Sequence, residues 1–385
     1  MSKNTAIKSY KLKNNETRYM FRLNMGVDSL TGKERTTTRR GFKTKAEAQN
    51  ALAELRVQVK NGNYKRRVIE TYEDIYNVWI NHYKNTVQDS TFLKTLRIFK
   101  NHILPEMGDY KIDKIDVAIC QKHVDNWAKK LKRFSMVKSY AAMVIKFAIK
   151  RGLIDRNPFD FVEIPIIKKR ISFEEDEEDN FYTREQLIEL LNCFEKEGNL
   201  RRYTFFHLLA FSGMRKSEGF GLMWRDIDFV SNEIRINKAV ARSEEGLYLG
   251  PTKNGLSRNI KMDNKTMDLL KEWKMEQAEE YLELGFNTLG KNQLVFPNTK
   301  NELHEPNKTY QWLKRVLDKY QLKSITTHGL RHTHCSLLFE AKAPLKEVQV
   351  RLGHKDVKTT LDVYTHVTKK AQASTIEKFN DYLSD

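Results

Sequence analysis

A run of six acidic side chains occupies residues 174–179 of this 385-residue chain. Like charges at this density repel one another and cannot be buried without partners, so such a run stays on the surface. We expect residues 166–180 to form an exposed linker that works as a hinge between two lobes. An autoinhibitory role, in which the acids occupy a basic surface, is the alternative. The length leaves room for two or three domains with separate cores.

The composition is that of a globular protein, with 40% hydrophobic and 31% charged residues. Neither an apolar run of membrane-spanning length nor the apolar core of a signal peptide is present in the sequence, so we expect no membrane contact. The three cysteines, Cys120, Cys193 and Cys335, are odd in number and far apart. This favours a reducing compartment, and we predict a cytoplasmic, nucleoid-associated protein in a bacterial host cell.

Positive charge is concentrated at the N-terminus. The chain carries a formal net charge of +18, and residues 1–70 contain 17 Lys and Arg against 6 Asp and Glu. Excess positive charge attracts a polyanion regardless of its sequence, which points to nucleic acid as a partner. The alternative is that the charge serves solubility alone.

Residues 1–64 are predicted to form a small sheet followed by a helix. Apolar residues alternate from Tyr19 to Val27, which is typical of a strand with one buried face. Residues 28–32 supply a turn, residues 36–42 return as a strand carrying Arg39 and Arg40, and residues 7–12 form a third strand. Thr44-x-x-Glu47 is a capping box that opens a helix ending before Gly62. We predict a DNA-binding module, with a passive basic cap as the alternative.

Residues 71–165 are predicted to be entirely helical. Thr71-x-x-Asp74 opens the first helix, Asp89 or Ser90 caps a second that Pro105 ends, and two more begin near Asp116 and Ser135. Their apolar spacings indicate a core. The opposite face carries basic side chains that we predict to contact DNA, although a lysine-rich helical face is often only solvated. These candidates are Lys129, Lys130, Lys132, Arg133 and Lys138.

The last lobe, residues 181–385, combines helices with a few short strands. Thr183-x-x-Gln186 is a capping box, and amphipathic helices are predicted over 264–284, 308–320, 329–341 and 344–351. Strand-like runs at 248–253 and 257–262 flank Asn254-Gly255, a dipeptide typical of tight hairpins. This pattern predicts that the two runs pair and that Lys253 lies at the tip of the hairpin.

The densest group of reactive side chains lies in residues 328–364. It consists of His328-x-x-Arg331, Leu352-Gly353-His354 and Tyr364. Upstream lie Arg215 and Glu218 in the sequence GMRKSE, and then Lys253. In this order the elements resemble the signature of the tyrosine recombinases, also called the phage integrase family. One departure is Lys216, where an apolar residue is more usual, and it leaves the catalytic assignments intact.

The resemblance implies a role for each of these side chains. Arg215, Arg331 and His354 would bind the non-bridging oxygens of a phosphodiester, where negative charge builds up during in-line attack. Tyr364 would be the nucleophile, forming a 3′-phosphotyrosyl enzyme. His328 would assist its deprotonation, and Lys253 would protonate the departing 5′ oxygen. Glu218, three residues after Arg215 and on the same helical face, would orient the arginine or a histidine.

The fold class expected is α+β, with a mostly helical catalytic domain, a helical core-binding domain of the SAM-like type and an N-terminal sheet plus helix. The resemblance implies double-stranded DNA as the partner, with core and arm attachment sites, and a homotetramer that works through a Holliday junction. It also implies an accessory directionality factor and no cofactor. A C-terminal helix over 371–383, with apolar residues at helical spacing, would dock on a neighbouring protomer or on its own core.

Three other interpretations are compatible with the sequence. A relaxing enzyme of the type IB topoisomerase class would use the same tyrosine chemistry as a monomer on any duplex. A DNA-binding regulator would keep the fold without the reaction. A zinc site could be sought at His328, His332, His334 and Cys335, but the sequence lacks an HExxH glutamate and a paired CxxC, so we predict no metal site.

Overall fold

The computed structural model describes residues 7–12, 15–27, 34–60, 70–166, 180–358 and 360–361. The predicted turn at 28–32, the acidic run, Tyr364 and the predicted C-terminal helix at 371–383 lie outside these residues.

The described chain combines helices with small sheets, which confirms the α+β prediction. It divides into two compact units. The first comprises Met1–Ile75, Met107–Gln121 and Ala142–Val162, and the second comprises Tyr76–Glu106, Lys122–Ala141 and Glu163–Asp385.

The N-terminal region is an antiparallel sheet covered by one helix, as predicted. Strands β1 (Lys8–Lys11), β2 (Thr17–Val27) and β3 (Glu34–Phe42) lie in the order β1-β2-β3, and α1 (Lys45–Lys60) follows. Phe21 and Leu23 of β2 pack against three buried residues of α1, namely Ala48, Leu52 and Leu55. Burial of such side chains contributes about 1.5–3 kcal/mol each.

Residues 70–166 contain helices and turns, apart from an isolated bridge between Thr71 and Lys111. The α-helices are α2 (Tyr72–Lys84), α3 (Asp89–Ile98), α4 (Leu104–Met107), α5 (Val117–Lys130) and α6 (Phe134–Lys150). Short 3-10 turns occur at Ile112–Lys114 and Pro158–Phe161. The side chain of Thr71 accepts a hydrogen bond from the Asp74 amide, and Asp74 accepts one from the Thr71 amide, so the predicted cap of α2 is present.

The prediction that Pro105 ends the second helix is wrong. A π-helical turn at Phe99–Ile103 joins α3 to α4, and the Leu104 amide bonds to the Phe99 carbonyl five residues back. Proline normally clashes with the carbonyl one turn earlier and leaves it without a donor. The wider π turn changes the hydrogen-bond register just before Pro105, so the helix passes through the proline and ends at Met107.

The catalytic region predicted at 181–385 contains most of the remaining elements. Its helices are α7 (Arg184–Lys196), α8 (Leu200–Ser212), α9 (Lys216–Phe220), α10 (Asn264–Glu283), α11 (Lys308–Tyr320), α12 (Gly329–Glu340) and α13 (Leu345–Leu352). Its strands are β4 (Ile227–Asp228), β5 (Glu233–Ile236), β6 (Lys238–Ser243), β7 (Gly246–Pro251) and β8 (Arg258–Lys261), with a 3-10 turn at Trp224–Asp226. The Thr183 capping box is formed as predicted. A large buried cluster centred on α8 and α10 forms the core.

The predicted hairpin around Asn254-Gly255 is wrong, although a turn is present there. β7 pairs with β6, whereas β8 pairs with β5 in the sheet β4-β5-β8. The Gly255 amide bonds to the Thr252 carbonyl, so Asn254 and Gly255 occupy the third and fourth turn positions. A two-residue hairpin of type I′ needs positive φ at the second and third positions, and only Gly255 has it here. The turn therefore redirects the chain from one sheet to the other.

A buried histidine makes the stability of this lobe dependent on pH. His304 stacks on Phe220 and contacts Trp312 edge-on, and its Nδ1 has no hydrogen-bond partner within the described part of the chain. Burial, with the charge of Arg201, lowers the pKa of His304 to about 4. Because the folded pKa lies below the unfolded value of about 6.5, this contribution to stability is present above pH 6.5 and is lost as pH falls toward 4.

Replacing His304 with phenylalanine keeps the ring contacts and removes the titrating group, together with its hydrogen bond to the Glu305 backbone. The loss of stability per pH unit between 6.5 and 4 should fall by about 1.4 kcal/mol, the value for one proton. Urea unfolding of both proteins at pH 7.5, 6 and 5 measures the difference. An unchanged slope would show that His304 does not titrate in this way.

Candidate active site

The first half of the candidate site is a turn between α8 and α9. α8 ends at Gly213, whose φ of 64° places it in the left-handed region. Arg215 lies just before α9. Its amide and its Nη1 each donate to the Glu218 carboxylate, both at 2.9 Å. Burial alone would raise the pKa of Glu218, but hydrogen bonds and charge from Arg258 and Arg215 bring that pKa below its ordinary value. Glu218 is therefore a buried anion that holds Arg215.

The second half of the site packs closely against Gly213. A β-carbon there would lie 2.6 Å from a His334 ring carbon and 2.7 Å from a Leu352 methyl. The Gly213 carbonyl accepts a hydrogen bond from Arg331 Nη1, and the Leu352 carbonyl accepts one from Arg331 Nη2, both at 2.7 Å. Only glycine combines this backbone conformation with this contact.

Arg331 is buried on α12. Burial, followed by the positive charge of Arg215, lowers the pKa of Arg331 to about 9, so the guanidinium stays charged near neutrality. A guanidinium has five N–H donors, and the two bonds to Gly213 and Leu352 use two of them. Within the described part of the chain, its other N–H groups make no hydrogen bond.

His328 lies at the start of α12, next to the same charges. Desolvation is the largest cause that lowers the pKa of His328 to about 4. The charges of His332, Arg331, Arg215 and Lys253 also contribute to this shift. Its ring meets that of His332 edge-on at 4.8 Å. Near neutral pH, His328 is therefore an uncharged imidazole able to accept a proton.

His354 follows α13, which ends at Gly353 in the left-handed conformation. The His354 amide donates to the Gln349 carbonyl at 3.1 Å, and its Nδ1 lies 2.8 Å from Thr360 Oγ1. Burial, followed by the charges of Arg331 and Arg215, lowers the pKa of His354 to about 3. His354 is thus a fixed, neutral ring beside both arginines.

Lys253 occupies the exposed turn between β7 and β8. The next residue, Asn254, donates from Nδ2 to the Gly353 carbonyl at 3.0 Å. This bond attaches the turn to the segment that carries His354. Because the Lys253 charge acts on His328, the turn lies near that histidine.

The structure brings six of the seven predicted catalytic side chains together, with Lys253 near His328 and the others around Arg331. They are Arg215, Glu218, Lys253, His328, Arg331 and His354. Tyr364 lies outside the described residues. Among those described, no cluster of three or more His, Cys, Asp or Glu side chains is arranged to hold a metal ion.

Most of the predicted DNA-contact side chains are exposed. Arg39 and Arg40 lie on β3 in the first unit. In the second unit, Lys129, Lys130, Lys132 and Arg133 are exposed and Lys138 is half-buried. Lys132 and Arg133 border an open cavity of about 430 Å³. Its wall also contains three basic residues that the sequence did not single out, namely Lys94, Arg97 and Arg242.

Two further residues near the site were missed from the sequence. Arg258 donates to both carboxylate oxygens of Glu218. Arg351 donates to His334 Nε2 at 3.1 Å and to the carbonyls of Lys261 and Phe211. One signal could have found Arg258, because it shares a strand face with the buried residues Ile260 and Met262.

Comparison with known proteins agrees with this arrangement. Residues 180–371 match the model of the phage integrase family, residues 71–128 match the N-terminal SAM-like domain of phage integrases, and residues 7–59 match an arm DNA-binding domain. The tyrosine recombinase XerD of Halalkalibacterium halodurans is 31% identical over 230 residues, which cover 58% of this chain and 67% of that protein. The chain belongs to the phage integrase family of tyrosine recombinases.

Two further comparisons extend over more of this recombinase. The ICEBs1 integrase of Bacillus subtilis is 25% identical over 379 residues, covering 97% of this chain and 99% of that protein. The integrase of transposon Tn1549, solved in complex with a circular intermediate DNA, superposes with a TM-score of 0.63 at 21% identity. That match covers 80% of this chain and 99% of the other, and it shows a shared fold.

The protein is a site-specific recombinase of the tyrosine type, as the sequence predicted. None of the helices in the described ranges is long and apolar enough to span a membrane.

Proposed function

We propose that this recombinase cuts one DNA strand at a time with Tyr364 as the nucleophile. The phenolic oxygen attacks phosphorus, the bond from phosphorus to the 5′ oxygen breaks, and a 3′-phosphotyrosine with a free 5′-hydroxyl remains. The covalent link retains the energy of the broken ester. Attack by a 5′-hydroxyl from a partner strand then rejoins the DNA and releases the tyrosine.

The observation that carries this proposal is the convergence of Arg215, Arg331 and His354 beside Glu218. Two guanidinium groups and an imidazole offer hydrogen bonds to the non-bridging oxygens of a phosphodiester. These oxygens gain negative charge as the tyrosine attacks, so preorganised donors stabilise the transition state more than the bound substrate. The ion pair with Glu218 holds the Arg215 side chain in place in the absence of DNA.

Two proton transfers complete the chemistry. An unperturbed tyrosine has a pKa of about 10, so its proton must leave during attack. His328, which lies beside Arg331 and Arg215 and is uncharged near neutral pH, would accept that proton directly or through the phosphate. The departing 5′ oxygen needs a proton, and Lys253 on its exposed turn would donate it.

The remaining regions would hold the DNA. We assign residues 1–64 to a distant arm site, residues 71–165 to the core site, residues 166–180 to a hinge, and residues 181–385 to catalysis. The exposed pair Arg39 and Arg40 supports the first assignment. The basic cavity beside Lys132 and Arg133 supports the second. Integration or excision of a mobile element on nucleoid DNA would be the outcome.

Replacing Lys132 and Arg133 with alanine should weaken binding to core DNA most at low salt. A plot of log affinity against log salt has a negative slope, and each phosphate that the protein no longer neutralises makes it less steep by about 0.9. The slope of the double variant should therefore be less steep by about 2. Fluorescence anisotropy between 50 and 200 mM salt measures this slope. A control pair, Lys271→Ala with Lys314→Ala, removes two exposed lysines that are paired with aspartates elsewhere and should leave the slope unchanged.

Strand exchange between two duplexes requires four cleavages, which implies four active sites and a tetramer on a Holliday junction. An accessory factor that sets direction would act on this assembly. The proposal is tested with a nicked substrate carrying the element's own junction, in which the fragment bearing the 5′-hydroxyl diffuses away. A covalent protein–DNA band on a denaturing gel is expected with the wild type and not with Tyr364→Phe. Relaxation of any supercoiled plasmid without exchange would instead favour the topoisomerase interpretation.

A further inference from the structure

Arg258 lies at the start of β8, five residues after Lys253, and is one of the few buried charged side chains described. Its Nη2 donates to Glu218 Oε2 at 2.7 Å and its Nη1 donates to Glu218 Oε1 at 3.3 Å. The same two oxygens accept from Arg215, Oε1 from Nη1 and Oε2 from the amide. Each oxygen of Glu218 is therefore held by both arginines at once.

Arg258 also contacts the segment that carries His354. Its Nε donates to the Arg351 carbonyl at 2.9 Å, in the last turn of α13. A β-carbon on Gly353 would lie 3.0 Å from Arg258 Nη1, so the guanidinium packs directly against the residue before His354. The Gly353 carbonyl in turn receives the bond from Asn254 on the Lys253 turn.

We propose that Arg258 is a positioning residue that sets the relative geometry of Arg215, His354 and Lys253. This inference rests on the proposed function of those three side chains. The planar guanidinium is suited to the task because its donors point in fixed directions and reach a carboxylate and a carbonyl simultaneously. Lysine keeps the charge but cannot make this set of bonds.

Substitution of Arg258 is expected to slow DNA cleavage without weakening DNA binding to the same extent. Arg258→Gln should lower the single-turnover rate of covalent complex formation on the nicked substrate by about 100-fold, the effect of a displacement near 1 Å. Arg258→Lys should recover only part of that rate. Affinity for the duplex should change less than about threefold, since Arg258 is buried and the phosphate contacts lie elsewhere. Arg225→Gln, which removes an exposed arginine bonded to Asn292, is the matched control and should cleave normally.

A pH profile separates positioning from general damage to the fold. In the wild type, Glu218 faces Arg215 and Arg258, and Arg331 lies nearby, which keeps it ionised. Without Arg258 its protonation should become easier, so the cleavage rate of Arg258→Gln should fall with decreasing pH where the wild-type rate is level. Adding Glu218→Gln removes the titrating group, and this extra fall should disappear.

The outcomes are distinguishable. If the wild type forms no covalent complex, the proposed function fails. If the wild type cleaves and Arg258→Gln cleaves equally fast, the Arg258 inference fails alone. It also fails if the effects of Arg258→Gln and Glu218→Gln multiply in the double variant, because residues that act through one another are not additive. Should Arg258→Gln be poorly folded by thermal unfolding, the same comparison with Arg258→Lys decides the question.

Discussion

Cleavage by a Lys253→Ala variant is expected to be about 10²- to 10⁴-fold slower than by the wild type, the range for loss of a general acid. The reason lies in the leaving group, because an alkoxide is expelled poorly unless it is protonated as the bond breaks. Lys253 lies on an exposed turn, yet the turn is fixed to the His354 segment through Asn254. Lys253 is therefore accessible to DNA, and the Asn254 hydrogen bond holds its turn in place.

Changing the leaving group makes this prediction specific to proton donation. DNA in which sulfur replaces the departing 5′ oxygen needs no acid, since a thiol has a pKa of about 8.5 and leaves as the anion. The variant should cleave this DNA at nearly the wild-type rate. Lys261→Ala, an exposed lysine on the neighbouring strand, should cleave both substrates normally. A Lys253→Ala defect that persists with sulfur would show that Lys253 does not act as the acid.

The second large effect is expected at Arg215. Arg215→Ala removes one preorganised donor to the non-bridging oxygens and should slow cleavage by about 10²- to 10³-fold. Arg215→Lys keeps the charge and loses the forked geometry, so it should recover little of the rate. Quenched-flow measurement of covalent complex formation at saturating DNA gives these rates, and filter binding checks that the DNA is still bound.

Glu218 gives the Arg215 experiment an internal control. The Arg215 side chain donates to the Glu218 carboxylate, which also accepts from Arg258. Loss of Arg215 therefore leaves Glu218 paired, and the fold should tolerate the substitution. A thermal midpoint close to the wild type with a slow reaction supports a direct role for Arg215. Wild-type cleavage by Arg215→Ala would contradict that role.

Local features of the fold could be predicted from the sequence because their causes are local. Helices were expected at 308–320 and 344–351, and α11 and α13 begin at Lys308 and Leu345. Capping residues and apolar periodicity determine such boundaries within a few residues of chain. The strand carrying Phe21 and Leu23 was predicted for the same reason, since alternation places both on one buried face.

Features that depend on distant partners could not be predicted in this way. Asn254-Gly255 marks a turn, but the flanking strands do not pair with each other. β7 pairs with β6 and β8 pairs with β5, and both partners lie elsewhere in the sequence. Pro105 stays within a helix because a π turn precedes it, and no pattern in the sequence predicts that turn. Arg258 was overlooked because an arginine on a short strand is usually a surface residue, and its partner Glu218 lies 40 residues upstream.

Tyr364 is expected to be the residue that becomes joined to DNA. Trypsin digestion of the trapped complex made with a short nicked substrate should release residues 359–369, a peptide that contains Tyr364 and no other tyrosine. Mass spectrometry is expected to find the nucleotide adduct on this peptide, with fragmentation placing it on Tyr364. An adduct on any of the other fifteen tyrosines, or on a threonine of this peptide, would contradict the mechanism.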